Sequence, residues 1–169
     1  PQAALEQRAA GLILLTGGPG GPVGRLLHDG QEAAAAAMLA RLAAAFPGRL
    51  YVEIQRHGIP LQDRVNTELL AIARELSLPL LATNDAHYLR RDDAEAHDVL
   101  LAIGTGKDLD DPKRFRFTGQ ESYVKSEAEM RALFPARPDV IAETARVAGL
   151  CEFDFEKRYF LPQFPRPAE

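Results

Sequence analysis

The sequence predicts an α/β fold in which parallel strands form a sheet or barrel and further helices follow. Short apolar runs at residues 12–16, 50–55 and 79–82 alternate with helical stretches long enough to cross back over a sheet. After residue 88 the alternation stops, and only helical and irregular patterns remain. At 169 residues, with 46% hydrophobic and 26% charged side chains, the chain can bury a core and has an ordinary globular composition.

Taken in order, residues 1–10 read as the end of a helix closed by Gly11. The run Leu12-Ile13-Leu14-Leu15-Thr16 has strand length and enters the turn Gly17-Gly18-Pro19-Gly20-Gly21-Pro22. A strand running into glycines suggests a phosphate cradle, but no Gly-Lys-Ser/Thr ending follows, and two prolines remove donors such a cradle needs. A tight strand-to-helix turn is the expected role. A short helical turn at Val23 to Leu27 precedes an alanine-rich helix over 31–46, with Met38, Leu39, Leu42 and Phe46 as its core stripe. Leu50 to Gln55 is the second strand. Residues 63–76 form an amphipathic helix through Val65, Leu69, Ile72, Ala73 and Leu76, and Pro79 to Ala82 is the third strand. Asp92 or Asp93 caps a helix over 94–103, residues 104–117 are irregular, and Ser126 with Glu129 forms a capping box. Pro138 opens a last helix, with Val140, Ile141, Thr144, Ala145 and Ala148 as its buried stripe and Gly149 as its end.

The third strand leads into Thr83-Asn84-Asp85-Ala86-His87-Tyr88. In an extended segment residues i and i+2 point the same way, so Asp85 and His87 project together past the carboxyl end of a strand, where parallel α/β folds place their sites. A carboxylate beside an imidazole suits zinc or manganese. The same spacing also reads as a helix-start Asp and a surface His. Glu53, Gln55 and His57 share a face by the same period, which makes His57 and Glu53 candidates for the site neighbourhood, Glu53 also being readable as a structural carboxylate. His97 is read as a packed helix histidine. Lys113, Arg114 and Arg116, interleaved with Phe115 and Phe117, are candidates for contacting a DNA backbone.

A net charge of −4 gives no global attraction to nucleic acid, so any such contact is local. The single Cys151 excludes an internal disulfide and a cysteine zinc cluster. No run reaches the roughly 18 apolar residues of a membrane span, and the first ten residues are too polar for a secretory signal, so a cytoplasmic location without membrane partners is expected. Beginning with Pro1 rather than Met, the chain is expected to be a piece of a longer one.

Seven stretches together resemble the bacterial replicative DNA polymerase III alpha subunit family, DnaE type. They are Gly11 to Gly18, Tyr51 to Gly58, Ala82 to Tyr88, Asp93 to Asp98, Leu109 to Pro112, Tyr123 to Ser126 and Phe160 to Pro165, in that order. The resemblance implies part of a distorted β/α barrel of the polymerase and histidinol phosphatase (PHP) type: the C-terminal half of that domain over 1–125, a helical segment over 126–158, and a connector over 159–169 toward a palm domain. It implies that Asp85 and His87 match the last metal-binding motif of the domain, while Gly18 stands where a cysteine ligand often occurs. In such a parent the function is template-directed DNA synthesis, and this part is scaffold with a partial metal site, linked in some relatives to metal-dependent 3′–5′ exonuclease activity. The polymerase site, with its magnesium ions, would lie in the palm, so no catalytic residue is expected here. Implied partners are DNA through the full-length parent and other polymerase III subunits, including the proofreading exonuclease subunit. The alternatives are a stand-alone metal-dependent phosphoesterase of the PHP superfamily and a metal-free structural interaction module. The length of the encoding gene separates these from the first reading.

Overall fold

The computed structural model describes residues 2–155 together with Lys157 and Tyr159. Most of the expected connector over 159–169 lies outside the described residues. Helix α1 (Gln2–Gln7) leads to strand β1 (Leu14–Leu15), then α2 (Pro22–His28), α3 (Glu32–Ala45), β2 (Leu50–Gln55), α4 (Pro60–Glu75) and β3 (Leu80–Thr83). The strands form one parallel sheet in the order β1-β2-β3, with Leu14 beside Leu50 and Val52 beside Leu80. A short 3-10 turn (Arg91–Asp93) then enters α5 (Ala94–Thr105), followed by α6 (Glu127–Leu133) and α7 (Pro138–Gly149). The α/β class with a parallel sheet is thus the observed one.

Every residue of β2 is buried, as a strand covered on both faces requires. Leu50 and Val52 join Val23, Leu27, Leu39, Phe46, Val65 and Leu69 in the larger core, which α2, α3 and α4 close over the sheet. A smaller cluster of Ile54, Ala82, Phe134, Val140 and Ile141 seats α7 against β3. The stripes predicted for α3 and α4 are the ones buried, apart from Met38 and Leu76, which pack partly exposed at the edge.

The structure differs from the sequence expectation in β1, α4, α5 and α7. Strand β1 is shorter than the apolar run 12–16, because the Leu12 carbonyl accepts from the Arg49 guanidinium (3.1 Å) instead of joining a ladder. Helix α4 begins three residues early at Pro60, whose fixed φ suits a first helical position. Helix α5 continues through Gly104 and ends where Gly106 takes φ 61°, a left-handed cap that glycine adopts without strain. In α7 only Val140 and Ile141 of the predicted stripe are buried. Thr144, Ala145 and Ala148 line an open groove of about 580 Å³ instead, because among the described residues the sheet ends at β3.

The predicted capping box is present: Ser126 N–H donates to Glu129 at 2.8 Å, and Glu129 N–H donates to the Ser126 hydroxyl at 3.4 Å. Hydrogen bonds from Ser126 and Tyr123 pull the Glu129 carboxyl down from 4.5 to about 2. Because the folded value is lowered, the box is fully stabilising above pH 4.5 and is lost as pH falls toward 2. Amide exchange in the first turn of α6 should therefore accelerate across that window, and Glu129→Gln should remove the pH dependence. An unchanged profile in the variant would show that another group controls the turn.

Candidate functional site

All three strands present their carboxyl ends at one edge of the sheet, and the polar residues gather there. Glu53, 8% exposed, accepts hydrogen bonds from the Gly17 backbone N–H (3.1 Å), the Gln55 amide (3.2 Å) and the Thr83 hydroxyl. Its own N–H donates to Thr16 Oγ1 at 2.9 Å. One carboxylate therefore ties the end of β1 to β2 and β3, which is the structural role open to it in the sequence. It also takes up the Gly17 N–H, so the glycine turn does not aim that donor at a ligand. Close packing explains the rest of the turn: a Cβ on Gly24 would lie 2.6 Å from the Gly18 carbonyl oxygen.

Gly18, the position where the resemblance implies a cysteine, packs against the Gln55 side chain, and a Cβ there would overlap the Gln55 amide oxygen. With Gln62 and Asp85, these residues line a cleft of about 350 Å³.

His57 is buried beside this cleft, but both ring nitrogens are engaged. Nε2 lies 3.1 Å from the Asn84 carbonyl and Nδ1 lies 2.7 Å from the Gln62 amide nitrogen. Nε2 therefore donates and Nδ1 accepts. Gln62 closes a ring by accepting the His57 backbone N–H at 2.8 Å. His57 thus holds the loop after β3 in place, with no lone pair left over for another partner.

Asp85 and His87 do come together, with Asp85 Oδ1 3.3 Å from His87 Nε2. The cause is not the strand period invoked from the sequence. Strand β3 ends at Thr83, and Asp85 takes φ 34°, in the left-handed region that Asp tolerates better than most residues. A turn makes the pair. Asn84 anchors that turn by donating to the carbonyls of Glu121 (3.1 Å) and Tyr123 (2.5 Å), and His87 N–H donates to the Ser122 carbonyl at 2.8 Å. Both side chains stay accessible, 54% for Asp85 and 38% for His87.

A separation of 3.3 Å is what two donors about 2.0–2.2 Å from one tetrahedral ion would show. Among the described residues, however, no group of three His, Cys, Asp or Glu side chains converges to hold a metal. The chain provides an adjacent pair of donors, which is short of a metal centre on its own.

The basic stretch divides. Arg114 is 7% exposed and its guanidinium clasps both oxygens of Asp98, which holds the Asp98 carboxyl below its ordinary range. Its Nε–H donates to the Leu109 carbonyl at 3.0 Å. A guanidinium so placed braces the loop against α5 and is not free to meet a phosphate, which corrects the expectation that Arg114 contacts a DNA backbone with Lys113 and Arg116. Those two side chains are exposed.

Sequence reasoning missed the cluster around His97. Its ring lies 5.5 Å from that of His87, 5.2 Å from Tyr88 and 5.2 Å from Phe117, and Phe117 lies 4.6 Å from His87. The members come from three separate segments with no shared motif, and the interleaved aromatics at 115 and 117 were the one available signal.

No helix among the described residues is long and apolar enough to cross a membrane. The PHP domain family matches residues 1–57. DNA polymerase III subunit alpha of Pseudomonas aeruginosa is 40% identical over 169 residues, that of Thermus aquaticus 39% over 170, and that of Mycobacterium leprae 41% over 173. Each alignment covers 96% of this chain, and the chain spans about 14% of the length of these curated relatives. The chain is thus similar to bacterial DNA polymerase III alpha subunits over nearly its whole length, and its first third matches the PHP domain family.

Proposed function

We propose that this chain is part of a replicative polymerase alpha subunit whose full-length form carries out template-directed DNA synthesis, and that residues 1–125 are the C-terminal half of its PHP domain. The observation that carries this reading is identity near 40% along 96% of the chain to proteins named as that subunit. In this reading the three-stranded sheet is a portion of a β/α barrel, residues 126–158 are a helical segment, and 159–169 lead toward the palm. The nucleotidyl-transfer residues and their magnesium would lie in that palm. The fragment serves as scaffold, in a cytoplasmic assembly with DNA and the other polymerase III subunits, including the proofreading exonuclease subunit.

Asp85 and His87 are proposed as two ligands of a zinc or manganese ion, completed by residues of the parent that this chain does not contain. Their 3.3 Å separation and accessibility support this. When bound, such an ion supplies an activated water for phosphodiester cleavage. The chain's own part is to hold the two donors side by side on the turn anchored by Asn84, with His57 and Glu53 as the bracing residues behind it. Lys113 and Arg116 are the remaining candidates for DNA backbone contact.

The test is metal content by mass spectrometry on the full-length subunit, wild type against Asp85→Ala/His87→Ala, with primer extension measured on both. Stoichiometric zinc or manganese lost in the double variant is the expected result. Metal retained in the variant, or absent from both, overturns the ligand assignment, and failure of wild-type primer extension overturns the polymerase reading.

A further inference from the structure

Gln55, at the carboxyl end of β2, is 8% exposed and lines the cleft of about 350 Å³ together with Asp85. Both of its amide N–H groups are committed: Nε2 donates to Glu53 Oε1 at 3.2 Å and to Thr83 Oγ1 at 3.1 Å. That fixes which way the amide is turned. A carboxylate only accepts, and the Thr83 hydroxyl gives its own hydrogen to the same Glu53 oxygen, so the nitrogen must face these two groups and Oε1 the other way. Among the described residues no donor meets Oε1, which lies against Gly18, another wall of the cleft. A side chain at position 18 would overlap this oxygen, so glycine there leaves it open. The other walls do not satisfy it: Ile59 and Leu61 are apolar, and Gln62 is turned to His57 with both its oxygen and its nitrogen. The one charged side chain on the cleft is Asp85. An enclosed carbonyl oxygen without a donor is costly, and a cation completes it as well as a hydrogen bond does.

Resting on the reading of Asp85 and His87 as ligands of one ion, we infer that Gln55 Oε1 is a further ligand of that ion and tilts the site from zinc toward manganese. Zinc is content with four ligands and takes nitrogen readily, whereas manganese takes six and is suited by carboxylate and carbonyl oxygens. The donors this chain offers are then one imidazole, one carboxylate and one neutral amide oxygen. Glu53 and Thr83 act on the ion only through Gln55: by holding its nitrogen they present its oxygen.

The experiment is a manganese titration of the full-length subunit, read from the free-ion signal in electron paramagnetic resonance and repeated with zinc as competitor. In the polymerase reading the palm binds divalent ions too, so the ion at issue is the one lost in Asp85→Ala/His87→Ala. Gln55→Met keeps the length of the side chain and removes the oxygen. It should weaken that manganese site about tenfold or more, while zinc affinity changes less than about threefold. Gly18→Ala leaves Gln55 in the chain but places a methyl group where its oxygen stands, and it should shift the two affinities in the same direction. Circular dichroism confirms that each variant is folded, and if Gln55→Met does not fold, Gly18→Ala decides alone. Equal loss of manganese and zinc affinity would mark Gln55 as structural support only and overturns the inference, as does unchanged manganese affinity in the folded variants. The two levels separate. If the pair's ion is present but insensitive to Gln55, only this inference fails; if no ion is lost in the double variant, the ligand reading fails and the inference with it.

Discussion

Replacing Glu53 with alanine should lower the unfolding free energy by about 3 kcal/mol, measured by urea denaturation. The side chain is buried and satisfies three donors at once, from Gly17, Gln55 and Thr83. Without it those donors lose their shared acceptor; Gly17 and Thr83 are half-buried and solvate in part, while a buried, unpaired polar group carries a desolvation cost of about 1–3 kcal/mol. Relaxation of Gln55 recovers part of the total. Glu53→Gln should cost less, because an amide oxygen still accepts from Gly17. The sharper readout is local: the Gly17 amide should exchange faster in Glu53→Ala than amides in the centre of α4. A loss below about 0.5 kcal/mol would mean that the carboxylate is not the tie between the strand ends.

Phe46→Ala should cost about 4 kcal/mol by the same measurement. Phe46 is 1% exposed at the end of α3 and packs in the larger core with Leu39, Leu42 and Leu50. Truncating a buried ring removes its transfer free energy and leaves a cavity that packed neighbours fill only in part. Against a typical domain stability of about 5–15 kcal/mol, the variant should be partly unfolded at 37 °C. A cost under about 1 kcal/mol would show that the α3 end is loosely seated, and the assignment of this cluster as the main core would fall.

How much of this was legible beforehand depends on the range of the signal. The stripe of α4 at Val65, Leu69, Ile72 and Ala73, the buried run of β2 and the Ser126–Glu129 box are local patterns, and each is realised where the pattern stood. The Asp85–His87 pair was found for an incomplete reason. Residue types and spacing pointed to it, whereas the positive φ of Asp85 that brings the two together is set by Asn84 and the 121–123 segment, more than thirty residues away. Arg114 looked like its neighbours Lys113 and Arg116 because nothing in a run of basic residues says which one finds Asp98 across the fold. The stripe of α7 carried the right period for burial, yet a period shows only which residues share a face, and Thr144, Ala145 and Ala148 share theirs with an open groove. For His57 the hydrogen bonds to Gln62 and Asn84, which engage both ring nitrogens, depend on tertiary placement that a local pattern does not carry.

The strand order β1-β2-β3 follows the order of synthesis. Each strand after β1 finds one neighbour already made when it leaves the ribosome. At about 5–20 residues per second, the stretch from β2 to β3 takes only a few seconds to emerge. During that interval β2 has one open edge, which β3 later fills, while α4 packs on its face. Growth in one direction gives the nascent chain a natural sequence of assembly, and it makes an early stop in translation yield a shorter sheet instead of a scrambled one.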